Sequence, residues 1–257
     1  MNTYDFTIKI AKEAGELLLS LREKGFKVMS KGFDSRDVVT SVDREVNKFI
    51  IDKIKKEFPT YGIYSEEGGG ESGENDYQWI IDPIDGSANF SRGIPHFAVC
   101  LGLLDKNIPI VGAVYNPVTK ELFSFKKGSG AFLNEKPIKV SSVNKLKDAH
   151  VFFHAGRKEE LRNWGGESYG KLLKSAKKTS NLASSSLDTC FVASGRIEAN
   201  IYGTLSTLDI SPALGILTEV GGVVTNGSGE VPNLSNQPQK IFMANNKKTL
   251  KELLDLL

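Results

Sequence analysis

Trp79-Ile80-Ile81-Asp82-Pro83-Ile84-Asp85-Gly86-Ser87-Ala88-Asn89-Phe90 begins as an apolar run and ends as a polar turn. The run reads as a buried strand. Pro83 fixes its own φ and pushes Asp82 toward extended backbone, so Asp82 and Asp85 can turn the same way at the strand's end. Two carboxylates held this close repel each other unless a cation lies between them. Hard oxygen donors of this kind suit Mg²⁺. Gly86 lets backbone approach a ligand, Ser87 offers a cap for a following helix, and free amides at a helix start attract phosphate. The same letters also spell an Asp-Pro turn and an Asp-Gly turn in a surface loop. A calcium loop is excluded, because Ile84 stands where that motif needs an oxygen side chain.

Around this stretch the composition is that of an ordinary globular chain. Its 257 residues are 40% hydrophobic and 25% charged, enough for one large domain or two lobes sharing a core. A net charge of +2 is too small a bias to argue for nucleic acid or a membrane surface. Cys100 and Cys190 sit far apart in apolar surroundings and read as buried free thiols in a reducing compartment. No Cys/His spacing suggests zinc. The N-terminus has no long apolar core, and no run approaches the roughly 20 apolar residues of a membrane span, so a cytoplasmic location is expected.

Upstream, Tyr4 to Lys24 repeats apolar residues at helical spacing (Phe6, Ile10, Ala14, Leu17, Leu18, Leu21). Residues Ser30 to Asp37 are polar and aperiodic and read as a loop or hairpin arm. Thr40 or Ser41 opens a second helix with Val42, Val46, Phe49, Ile50 and Ile54 on its buried face. Tyr61 to Ser65 is a short strand leading into Glu66-Glu67-Gly68-Gly69-Gly70. That segment reads as a solvated loop, or as a strand end that presents one Glu to the Asp82 corner.

Downstream, Phe97–Leu104, Ile108–Tyr115 and Glu121–Lys126 read as strands, and Ala131–Leu133 and Ile138–Val140 continue the pattern. The composition turns polar near Ser141 to Lys147, placing a soft boundary that divides the chain into lobes 1–143 and 144–257. The second lobe alternates. Val151–Phe153 is a strand, Lys158–Ala176 a helix interrupted at Gly165-Gly166, Leu187–Ala193 a helix and Ala199–Tyr202 a strand. Leu208–Val220 is a helix opened by Asp209 and stopped by Gly221-Gly222; Val223-Val224 and Ile241–Ala244 are strands, and Lys247–Leu257 a terminal helix. Asp209 reads locally as an N-cap and Asp43 as a first-turn acid favoured by the helix dipole.

Three separated motifs, in order, carry a resemblance. Asp82-Pro-Ile-Asp-Gly-Ser-Ala-Asn-Phe90, Ser65-Glu-Glu67 upstream and Leu208-Asp-Ile-Ser-Pro-Ala-Leu-Gly215…Glu219-Val-Gly-Gly222 downstream resemble the inositol monophosphatase family, part of the Mg²⁺-dependent, lithium-sensitive phosphatase superfamily shared with fructose-1,6-bisphosphatases. Lys31, Thr40-Ser-Val-Asp43 and Ala193-Ser-Gly195 extend it over nearly the whole chain. The resemblance implies a layered αβαβα sandwich, α+β in the first lobe and α/β in the second. It implies a phosphomonoester hydrolase using two or three Mg²⁺ ions, with Mn²⁺ as a substitute, in a homodimer; the small net charge adds the expectation of no nucleic-acid or membrane partner.

By the same resemblance, Glu66, Asp82, the carbonyl of Ile84, Asp85 and Asp209 ligate the ions, while Asp43 and Ser87, with Glu66, serve the attacking water. Two ions roughly 3.5–4 Å apart would hold the entering and leaving oxygens of an in-line displacement. Asp85, Gly86, Ser87, Ser184, Ser185, Tyr202 and Asp209 would meet the substrate. Lys31, in a loop the family uses for a weaker third ion, would reach the site, and Arg92, Arg157, Lys178 and Arg196 would serve a second phosphate, as in archaeal enzymes that accept both inositol phosphate and fructose bisphosphate; each of the five also reads as a solvated surface charge. Ser87 stands for the family's usual Thr and Leu208 for its usual Trp. Tyr202 stands where animal members carry a Glu that recognises inositol hydroxyls, which argues against strict inositol specificity. Two rival expectations are a 3′-phosphoadenosine 5′-phosphate phosphatase on the same fold, disfavoured by Ala88-Asn89-Phe90, and a non-catalytic anion-binding module, which would lack a metal carboxylate.

Overall fold

The computed structural model describes residues 1–30, 38–156 and 158–257. In order, α1 (Thr3–Glu23), β1 (Val28–Ser30), β2 (Val38–Thr40), α2 (Ser41–Glu57), β3 (Gly62–Ser65), β4 (Gly69–Glu71), β5 (Tyr77–Asp85), α3 (Ser87–Arg92), β6 (Ala98–Asp105), β7 (Ile108–Asn116), β8 (Glu121–Lys126), β9 (Ala131–Leu133) and β10 (Lys136–Pro137) make the first part. Then come β11 (His150–His154), α4 (Glu159–Ser175), β12 (Lys178–Ser180), α5 (Ser185–Ala193), β13 (Ala199–Leu205), α6 (Ser211–Glu219), β14 (Val223–Asn226), β15 (Gln239–Ala244) and α7 (Lys247–Leu256). One sheet has eight strands in the order β10-β9-β8-β7-β6-β5-β3-β4, and a second has five, β12-β11-β13-β15-β14.

Strand alternation turns these sheets into layers. Along β6, Val99 and Leu101 face one core with Phe6, Ile10, Val46 and Ile50 of α1 and α2. Cys100, between them, faces the opposite core with Leu187 of α5 and Ile216 of α6. The five-stranded sheet closes that second core with Phe152, Tyr202, Ile241 and Met243. Its other face, through Val151, Phe153, Ile201 and Phe242, packs on Leu172 of α4 and Leu250 and Leu253 of α7. The order is helices, eight-stranded sheet, helices, five-stranded sheet, helices, the expected αβαβα sandwich. The middle layer needs close approach: a Cβ on Gly215 of α6 would lie 2.1 Å from the ring of Phe125.

Local chemistry sets the element ends. Asn2 caps α1, its side chain accepting from the Asp5 amide. Thr40 and Asp43 form a reciprocal capping box on α2.

Four boundaries differ from expectation. Gly69 and Gly70 belong to a strand, β4, antiparallel to β3. Residues Ile138–Val140 are not a strand; the ladder ends at β10. Helix α4 runs unbroken through Gly165-Gly166, because Gly165 packs where a Cβ would lie 2.1 Å from that of Ala155. Helix α6 starts at Ser211, with Ile210 as its cap residue and Pro212 in the first turn, so Asp209 lies in the preceding turn and is not the N-cap. Cys100 and Cys190 are free and buried, as read from sequence, and burial pushes both thiols well up from the ordinary value.

Candidate active site

The register of β5 on β6 slips between Asp82, opposite Cys100, and Asp85, opposite Ala98. This bulge follows Pro83, which has no amide to give the ladder. Asp82 and Asp85 are 5% and 6% exposed, so both carboxylates are held away from bulk water. Asp82 Oδ1 accepts from the Ile84 amide at 3.0 Å. Burial pushes the Asp85 carboxyl up from its ordinary value. Hydrogen bonds from Ser184, Ser185 and Ser186 pull against this, and the charge of Asp188 adds to the rise.

Gly86 then bends the chain at φ +92, and a Cβ there would lie 3.1 Å from the His96 carbonyl and 3.3 Å from Cβ of Ser184. Only glycine serves both needs. Ser87 is the first residue of α3 rather than its cap. Its Oγ lies 2.9 Å from Oδ1 of Asp43 and 2.9 Å from the Ile84 carbonyl, so its one proton serves either acceptor. The other Asp43 oxygen accepts from the Thr40 amide at 2.7 Å and the Thr40 hydroxyl at 2.6 Å. The first-turn acid of α2 thus spends one oxygen on its own helix and presents the other to Ser87.

A cavity of about 620 Å³ opens over these strand ends. Glu66, Asp82, Ile84, Asp85, Gly86 and Ser87 line one side, while Tyr202, Leu205, Ser206 and Asp209 line another. Ser185 also lines it, whereas Ser184 is fully buried behind. Glu66 reaches the rim because its amide continues the pairing of β3, donating to the Ile81 carbonyl at 3.1 Å. The Asp209 amide donates to Ser206 Oγ at 3.3 Å, fixing the turn before α6.

Tyr202 lines the cavity, but its hydroxyl is committed elsewhere. The hydroxyl donates to buried Asp188 at 2.8 Å, and the other Asp188 oxygen meets His96 Nε2 at 2.8 Å. The ring stacks on His154 of the neighbouring strand, centroids 5.2 Å apart.

Three of the expected basic residues lie elsewhere. Arg92 is exposed at the end of α3, Lys178 is exposed on edge strand β12, and Arg196 pairs with Glu121 and lies over the Phe191 ring; none lines the cavity. Lys31 and Arg157 lie outside the described residues. Reading the sequence missed His154, Lys158, Ala183, Thr204 and Pro238, all in the lining. His154, with Phe152 two places before it on a strand of aromatic and apolar residues, gave no polar-cluster signal, and Lys158 looked like any surface lysine.

Among the described residues, no three Asp, Glu, His or Cys side chains close into a cage around an ion. Carboxylates and a peptide carbonyl on residues lining one cavity are nevertheless the donor types that Mg²⁺ takes, since that ion keeps several waters and one or two carboxylates apiece. The residues present fit Mg²⁺ and, lacking thiolate or clustered imidazole, do not suit zinc.

The Inositol monophosphatase family profile matches residues 2–257. A Thermotoga maritima protein, fructose-1,6-bisphosphatase/inositol-1-monophosphatase, is 34% identical over 234 residues, 91% of this chain and 88% of that one. A Vibrio cholerae protein named Nus factor SuhB is 33% identical over 88% of this chain and 85% of its own. The solved structure of a Thermotoga maritima IMPase superposes with a TM-score of 0.90 at 31% identity, covering 100% of this chain and 96% of that one. Fold, cavity and relatives together define a hydrolase of phosphate monoesters. The chain belongs to the inositol monophosphatase family. None of its helices, among the described residues, is long and apolar enough to cross a membrane.

Proposed function

We propose that the chain hydrolyses small phosphorylated polyols and sugars, inositol-1-phosphate and fructose-1,6-bisphosphate among them, with Mg²⁺ held by Glu66, Asp82, Asp85, Asp209 and the Ile84 carbonyl. The observation that carries this reading is the single cavity lined by all five of those residues. Bound there, Mg²⁺ offsets phosphate charge and lowers the pKa of water. The chain's own residues supply position. Ser87, which lines the cavity, is backed by buried Asp43 in a hydroxyl–carboxylate pair that orients a water for in-line attack and takes up its proton. The Gly86 turn brings backbone against the phosphoryl oxygens.

The leaving alcohol faces Tyr202, His154, Leu205 and Ser206. With the Tyr202 hydroxyl committed to Asp188, this wall offers an aromatic residue in place of a carboxylate, which supports a range of alcohols over one inositol. The same reading includes two or three ions, Mn²⁺ as a substitute, a homodimer in the cytoplasm and no nucleic-acid partner. It also includes a lobe division at residues 143 and 144, supported by an eight-stranded sheet lying wholly before it and a five-stranded sheet wholly after.

The test is phosphate release from a panel of sugar, polyol and nucleoside phosphates with Mg²⁺, with and without Li⁺. Turnover of inositol-1-phosphate or fructose-1,6-bisphosphate, lost in Asp82→Asn, is expected. Turnover of neither, or preference for 3′-phosphoadenosine 5′-phosphate, would overturn the substrate assignment.

A further inference from the structure

Asp85 holds the start of a helix far along the chain. The cap residue of α5, Ser184, makes no side-chain capping bond of its own, which leaves the first amides of that helix in need of acceptors. Asp85, nearly 100 residues earlier and in the eight-stranded sheet, supplies them. Its Oδ1 accepts from the Ser185 amide at 3.1 Å and the Ser185 hydroxyl at 2.8 Å. Its Oδ2 accepts from the Ser186 amide at 2.9 Å and the Ser184 hydroxyl at 2.5 Å. An ionised carboxylate offers about four lone-pair sites, and four donors fill them.

The donors are not equivalent. The two amides are fixed by the helix. The Ser184 hydroxyl is fully buried, behind the cavity wall. The Ser185 hydroxyl can rotate, is half-buried and lines the cavity. With Ser185 on the cavity side and Ser184 buried behind, an ion entering from the cavity would first reach Oδ1, the oxygen carrying both Ser185 donors.

The geometry points to a division of labour between the two serines: Ser184 is a positioning residue that fixes the Asp85 carboxylate, and the Ser185 hydroxyl is a displaceable occupant that yields its place on Asp85 to the ion and turns into the cavity toward the substrate. This rests on the reading of Asp85 as an ion ligand. It gives adjacent, chemically identical residues opposite effects. Outer donors to a metal ligand typically carry about 10–100-fold in affinity; removing a competitor carries no such loss.

Calorimetric Mg²⁺ titration without substrate, and steady-state kinetics, separate the roles. Ser184→Ala is expected to weaken Mg²⁺ binding about tenfold, with recovery in Ser184→Thr, which keeps the hydroxyl. Ser185→Ala is expected to bind Mg²⁺ as tightly as the parent or more so, while its KM for substrate rises. Thermal melts in the absence of ions establish that each variant is folded. Parental affinity in Ser184→Ala, a tenfold loss in Ser185→Ala, or an unchanged KM in Ser185→Ala would overturn the proposal. Asp85→Asn addresses the underlying reading by itself: undiminished Mg²⁺ affinity there removes Asp85 from the ligand set, whatever the serines do.

Discussion

Ala183 stands immediately before the Ser184–Ser186 clamp with φ 60, in the left-handed region where a Cβ costs roughly 1–2 kcal/mol. Asn89 holds it there, its amide donating to the Leu182 carbonyl at 2.7 Å and the His96 carbonyl at 2.8 Å. Replacing Ala183 by Gly removes that strain and adds unfolded-chain entropy of about 0.4–1 kcal/mol. The difference predicts that Ala183→Gly is more stable by about 0.5–1 kcal/mol. Urea unfolding checks this: the midpoint should rise at constant slope, and an unchanged or lower midpoint contradicts it. Nothing in Asn181-Leu-Ala-Ser-Ser185 announces a left-handed residue, because the usual signals, Gly or Asn, are absent at 183. Asp82, Asp85 and Gly86 were legible for the opposite reason: Pro83 and Gly86 constrain the backbone by their own covalent structure. Side chains whose position depends on distant partners, such as Tyr202 on Asp188, left no trace in local pattern.

Elements were legible wherever one face is apolar and continuous, as in α1, α2 and β5 to β8. They were misread where tertiary contact overrides local preference: α4 crosses two glycines because one packs on Ala155, and α6 begins late because the turn before it is held by Ser206 and Thr207. Contacts between elements also set pH dependence. Glu121 starts β8, and its carboxyl is held below the ordinary value by the hydrogen bond and charge of Arg196, which follows α5. A lowered folded-state pKa contributes stability above the unfolded value, near 4.5, and that contribution is lost as pH falls through the folded value. Glu121→Gln should therefore be less stable than the parent at pH 7, with the gap closing in the acid range below the unfolded value. Since the Arg196 side chain is 37% exposed, salt should shrink the gap as well. Denaturant midpoints across pH measure it, and a gap that does not narrow as pH falls below the unfolded value would assign the effect to packing.

At the scale of the molecule, the candidate ligands come from opposite sides of the middle helical layer. Glu66 lies just beyond β3, Asp82 toward the end of β5 and Asp85 at its end, whereas Asp209 lies in the turn leading from the five-stranded sheet to α6. Carboxylates gathered on one cavity repel one another, and a cation between them offsets that repulsion. An ion that binds the folded chain and not the unfolded one adds RT ln(1 + [Mg²⁺]/Kd), about 2.7 kcal/mol at a hundredfold excess over Kd. Held by the proposed ligands, the ion would tie both sheets to one centre, and the gain would belong to global unfolding. The melting temperature should rise with Mg²⁺ in the parent. In Asp209→Asn the Mg²⁺-dependent rise, measured from that variant's own ion-free melting temperature, should shrink. A parent whose melting point ignores millimolar Mg²⁺, or an Asp209→Asn variant that keeps the full rise, would place the ion away from this cavity.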